Sequence, residues 1–128
     1  MSPPSTSAEI CRPVWPLLQQ GRLQEAWNAV NQAVQAEPRN ALAAHLMGLV
    51  LLRNGQSDDG LTMLRRSIAL DPREPTAHSN LGDALRNAGF LEEALAACDQ
   101  AVALDPTLLD AQVNRGNVLL DLGRPEEP

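Results

Sequence analysis

Three sets of helix-breaking residues recur along this 128-residue chain at one interval. Glycines stand at Gly21, Gly55, Gly89 and Gly123, a second series at Gly48, Gly82 and Gly116, and prolines at Pro38, Pro72 and Pro106, every step being 34 residues. Apolar residues at steps of three and four fill the segments between them, so each period holds two short amphipathic helices and two turns. A helix pair of that size cannot bury its apolar face alone, and successive pairs must stack. The expected fold is therefore an all-α solenoid of antiparallel helix pairs rather than a closed globular domain.

Composition narrows the core and the partners. Hydrophobic residues make up 44% of the chain but aromatic ones only 2%, so the core must be built from Leu, Ala and Val, which suits close helix packing. The formal net charge is -6. That balance argues against a nucleic-acid or anionic-membrane surface, which needs a basic stripe. All ten basic residues are Arg, which with the richness in Ala and Leu points to a GC-rich bacterial genome. Cys11 and Cys98 lie far apart and outside any CxxC or Cys/His cluster, as expected in a reducing, cytoplasmic setting. No basic segment followed by an apolar run opens the chain, and no run of 18 apolar residues occurs, so neither a signal peptide nor a membrane span is expected.

Taken in order, residues 1–6 are rich in Pro, Ser and Thr and are expected to be disordered, with Thr6 and Glu9 spaced as a capping box. Pro13 and Pro16 interrupt the next segment, and a helix is expected to restart at Pro16. Further helices are predicted over residues 23–36, 41–54, 57–70, 76–88, 91–104 and 109–122. Ser57 is the expected N-cap of the fourth of these seven, with Asp58 and Asp59 against the positive end of its dipole. The period divides the chain into a degenerate first repeat or N-terminal cap at 7–40, repeats at 41–74 and 75–108, and a partial repeat at 109–128. Glu126 and Glu127 fall where Glu92 and Glu93 stand one period earlier, as the start of a helix that does not continue, so the chain reads as a fragment of a longer array or the product of a truncated gene.

These residues resemble the tetratricopeptide repeat family. In the third repeat the family's small-residue and turn positions are filled by Leu81, Gly82, Leu85, Gly89, Ala94, Ala101 and Pro106, ending in Leu104-Asp105-Pro106. The second repeat offers Met47, Gly48, Leu51, Gly55, Leu64 and Pro72, but has Gly60 and Ser67 where the family favours Ala. The first keeps Gly21, Ala26, Ala33 and Pro38; the fourth has Gly116, Leu119 and Gly123. The resemblance implies a right-handed superhelix whose concave wall is formed by the first helix of each repeat, and a role in binding proteins or peptides.

On helical spacing that wall would carry Arg53 with Leu42, His45, Leu46, Leu49 and Leu52. The third repeat would add Asn80, Asp83, Arg86 and Asn87, with Thr76 and Ser79; the fourth, Asn114 and Asn117, with Asp110, Val113, Leu120 and Asp121. Asn80 and Asn114 are one period apart, and carboxamides both donate to and accept from a peptide backbone. They are similar to the asparagine ladder in the repeats of O-linked N-acetylglucosamine transferases, the other reading being that they satisfy local polar groups. A carboxylate clamp for chaperone C-termini is not expected: its five places hold His45, Leu49, Asn80, Asp110 and Asn114, and Asp110 would repel a carboxylate.

Other candidates have plainer readings. His45 and His78 lack a metal-site arrangement, and His78 and Cys98 fall at core positions. Trp27 is expected on the inter-helix stripe and Trp15 as a lid on the first repeat, the other reading of Trp15 being an exposed anchor. The apolar row Leu42, Leu46, Leu49 and Leu52 is expected to be covered by the segment 10–18 as an N-terminal cap, the other reading being a hydrophobic groove for a partner. No nucleophile and base pair, phosphate loop or carboxylate pair is visible, so no enzyme, cofactor or metal is expected. The function read from the chain is a peptide-binding scaffold. A second reading is the non-catalytic front of a larger bacterial glycosyltransferase or sulfotransferase, and a third is self-association through the C-terminal end.

Overall fold

A computed structural model describes residues 11–124. The disorder expected for 1–6, the capping box of Thr6 and Glu9, and the helix start at Glu126 and Glu127 lie outside the described residues. Among those described, seven helices follow one another: α1 Val14–Gln19, α2 Leu23–Ala36, α3 Ala41–Arg53, α4 Ser57–Leu70, α5 Pro75–Asn87, α6 Leu91–Leu104 and α7 Leu109–Asp121. The fold class is all-α, as the period requires. Two compact units meet between Asp71 and Pro72. In the first, α1 packs on α2, α2 on α3 and α3 on α4; in the second, α5 packs on α6 and α7 lies against both.

Each turn within a pair has the same chemistry. Gly55 and Gly89 take φ of 80° and 88°, a left-handed conformation that costs a residue with a Cβ about 1 kcal/mol or more. The chain then closes a Schellman motif: Gly55 N–H donates to the Leu52 carbonyl and Gln56 N–H to that of Leu51, at 3.1 and 2.9 Å. Phe90 N–H repeats the second bond to Leu85 at 2.9 Å. These glycines therefore stop one helix and aim the next.

The second glycine series sets how closely paired helices approach. A Cβ on Gly48 would stand 2.9 Å from Leu64 Cγ and 3.1 Å from the Gly60 carbonyl oxygen, and one on Gly60 would stand 2.7 Å from Leu52 Cγ. Gly60, a departure from the family's usual Ala, thus lets α3 and α4 cross at contact distance. Ser67, the other departure, is buried but donates its hydroxyl to the Ala41 carbonyl at 2.9 Å, so its polarity is satisfied. At Gly82 an added Cβ would collide with Cys98 Sγ of α6. Gly116, at the same place in α7, meets nothing within 4 Å. Gly116→Ala is accordingly expected to raise stability by about 0.5 to 1 kcal/mol through helix propensity alone. Urea unfolding with an unchanged m-value is the check.

Several local expectations are corrected. The first helix starts at Val14, not Pro16: Pro16 sits in the first turn, where its missing N–H has no intrahelical partner to lose. Ser57 is the first helical residue of α4, and Gln56 precedes it as N-cap without a side-chain bond. Asn40 does cap α3, its Oδ1 accepting from Ala43 N–H at 2.9 Å. The fifth helix begins one residue early, at Pro75, whose fixed φ suits the first position. Helices α3, α5 and α7 end one residue before the predicted limit.

The N-terminal cap is partly as expected. Cys11, Val14 and Leu18 form one core with Ala26, Val30 and Leu46, and Leu49 packs against it. Leu52 turns instead toward Gly60, and Leu42 remains 47% exposed. Trp15 is not a lid: it is 48% exposed. Trp27 also departs from its expected place, being 38% exposed.

Candidate functional site

The predicted wall residues of α5 and α7 lie together. Asn114 of α7 donates through Nδ2 to the Ser79 carbonyl at 3.2 Å and to Ser79 Oγ at 2.9 Å. Ser79 is 1% exposed, so this carboxamide satisfies polar atoms that water cannot reach. Arg86 of α5 pairs with Asp121 of α7, Nε to Oδ2, at 2.6 Å. That hydrogen bond raises an already high guanidinium pKa, with Asp121 and Asp83 adding attraction. The bonds from Asn114 and from Arg86 thus hold α7 in register with α5.

Helical spacing explains why these residues share a side. Ala111 and Val118 of α7 are fully buried, and Asn114 and Asp121 flank that buried line. Asn117 lies between them at the half-buried margin. On α5 the corresponding row is Asn80, Asp83 and Asn87, passing from half-buried to exposed. Asn114 directs its donor inward to Ser79, which leaves its carbonyl oxygen as the group to offer a ligand. Asp83 adds a carboxylate, while Arg86 is neutralised by Asp121. The face is therefore richer in acceptors than in donors.

Arg53 belongs to the first unit, and its Nη1 donates to the Leu18 carbonyl at 3.2 Å, tying α3 to the end of α1. A basic residue at the end of an amphipathic helix gives no sign of such a partner 35 residues earlier. Ser79, expected on the wall, is instead buried and takes the Asn114 donor, so this carboxamide satisfies local polar groups. His78 is buried and donates through Nε2 to the Pro72 carbonyl at 2.9 Å, a structural role. His45 is buried as well, away from any exposed wall. Among the described residues no group of three or more His, Cys, Asp or Glu is placed to hold a metal ion.

A tetratricopeptide repeat family model matches residues 45–108, half of the chain. The chain belongs to the tetratricopeptide repeat family. Solved structures carry the same fold. The Pseudomonas aeruginosa pilF protein is 22% identical, with a TM-score of 0.86 over 93% of this chain and 55% of its own. The first repeat domain of Spaghetti (RPAP3), bound to an HSP90 peptide, is 19% identical, with a TM-score of 0.82 over 92% of this chain and 94% of its own. An O-GlcNAc transferase from Thermobaculum terrenum is 27% identical over 91% of this chain, with a TM-score of 0.81, and the chain spans 23% of that protein. A search of curated protein sequences finds no match. No described helix is long and apolar enough to cross a membrane.

Proposed function

We propose that the chain is a peptide-binding scaffold and that the α5 and α7 face, with Asn80, Asp83, Asn87, Asn114 and Asn117, takes an extended segment of neutral or basic character. The observation that carries this reading is the direction of the polar groups. Asn114 has given its donor to Ser79 and Arg86 its charge to Asp121, so the face presents oxygen acceptors to a partner's N–H and cationic groups. The peptide held by the RPAP3 repeat domain supports a peptide ligand. The net charge of -6 supports protein or peptide partners over nucleic acid or anionic membrane. Both cysteines are buried and unpaired, which supports a cytoplasmic setting.

The test is an array of immobilised peptides graded in net charge, probed with the wild-type chain and with Asn80→Ala/Asp83→Ala. Neutral and basic peptides are expected to be retained, and the double variant to bind them about tenfold more weakly, roughly 1.4 kcal/mol. Asn114 is left intact in that variant because its loss would also strip Ser79 of a partner. Preferential capture of acidic peptides, or equal binding by both proteins, would overturn the reading.

A second reading is favoured by the 27% identity to the O-GlcNAc transferase: these repeats are the non-catalytic front of a larger enzyme and present its substrate. A reading frame that continues past Pro128 into a catalytic domain would select it.

A further inference from the structure

A groove runs between α2 and α4, floored by α3, and Trp27 stands at its waist. Two cavities share that tryptophan. One, of about 380 Å³, is lined by Leu23, Gln24, Val50, Asn54 and Gln56. The other, of about 390 Å³, is lined by Val34, Met47, Leu51, Met63, Thr62 and Asp59. Both lie within the first unit. Beside the first cavity Asn54 Nδ2 donates to Gln56 Oε1 at 2.8 Å, and Arg66 of α4 donates to the Pro38 carbonyl at 3.0 Å, linking that helix to the α2–α3 turn.

Trp27 is out of character for its place in the repeat. One and two periods later the same position holds Leu61 and Leu95, which are 7% and 8% exposed, whereas Trp27 is 38% exposed. A large aromatic ring left open beside methionines is the composition of an adaptable docking surface: the ring supplies rigid area, the thioethers reshape around what enters. Among the described residues, Asp59 is the one charged residue lining either cavity. It sits in the first turn of α4, and Asp58 precedes it. An occupant is thus offered an apolar wall, a ring face and a carboxylate, which complement an apolar side chain adjoining a cation.

We infer that this groove is a second binding site, distinct from the α5 and α7 face, for a partner segment in which a large apolar residue is followed by Arg or Lys. The apolar side chain packs on Trp27, Met47 and Met63. The cationic group reaches Asp59.

The test monitors Trp27 fluorescence in a Trp15→Phe chain, so that the groove tryptophan alone reports. The probes are acetyl-Leu-Leu-Leu-Arg-amide and acetyl-Leu-Leu-Leu-Glu-amide. The Arg peptide is expected to give a saturable blue shift about two- to fivefold tighter than the Glu peptide, the range of one part-screened ion pair. Asp59→Asn should abolish that preference while leaving the far-UV spectrum unchanged, and Asn80→Ala/Asp83→Ala should leave it intact. Failure of the Arg peptide to saturate, or equal affinity for both, overturns the inference. A Trp27 shift that depends on protein concentration without peptide also overturns it, assigning the groove to a second copy of the chain.

Discussion

Gly82→Leu is expected to lower unfolding free energy by about 3 kcal/mol or more. The first added carbon already collides with Cys98 Sγ, and it would stand 3.3 Å from the Ala94 carbonyl oxygen and 3.4 Å from Cys98 N. Cys98 and Ala94 are fully buried, so neither has solvent to retreat into. Leucine adds three further carbons to the same space, at the upper end of the roughly 1 to 3 kcal/mol of ordinary overpacking. The gain in helix propensity, about 0.8 kcal/mol, offsets little. For a chain of this length the midpoint should fall by roughly 10 °C, and helical signal and cooperativity should go together. Differential scanning calorimetry with far-UV circular dichroism reads both. A companion pair isolates the cause: Gly82→Ala should be destabilising alone and nearly neutral with Cys98→Ala, a coupling of about 1 kcal/mol or more. Additive effects would place the strain elsewhere.

The same glycine shows why the fold was legible in the sequence. Helix pairing depends on breakers and small residues at repeating places, and a strict interval displays them without any tertiary knowledge. Hence helices α2, α4 and α6 were predicted at both ends, and Gly82 was placed among the family's small-residue positions. Gly116 shows the limit of that logic. It occupies the same place in the period, yet its surroundings are open, because a residue's role in a repeat is set by what packs on it.

The candidate site was legible by position and not by bonding. Asn80, Asp83 and Asn114 share a face because of helical spacing, which sequence displays. That Asn114 spends its donor on Ser79, and Arg86 its charge on Asp121, depends on how α7 is set against α5. Those two bonds decide the face's preference for cationic and N–H groups. Trp27 was misplaced for a related reason. Its spacing put it on the apolar stripe, but the room there is sized for leucine, as Leu61 and Leu95 demonstrate, so the larger ring stays at the surface.

Raising the pH should reveal the burial of Cys98 as a loss of stability. Its thiol pKa is pushed up from 9.0 to about 11, first by burial, then by the negative charges of Asp99 and Asp83, with Arg115 pulling the other way. The thiol is neutral when protonated, so a raised pKa means the folded chain keeps the proton while the unfolded chain releases it. Below about pH 9 both states are protonated and the group contributes no pH dependence. Between about 9 and 11 the unfolded state binds fewer protons, and stability falls with pH. Two pH units correspond to about 2 to 3 kcal/mol. Urea unfolding at about pH 8 and about pH 10.5 is the measurement, comparing wild type with Cys98→Ala. The wild-type chain should lose about 2 kcal/mol more than the variant over that interval. Cys11, also buried with a raised pKa, remains in both proteins and cancels from the comparison. Parallel pH profiles would mean that solvent reaches the thiol, and that Gly82 and Cys98 do not form the tight contact from which the first prediction is drawn.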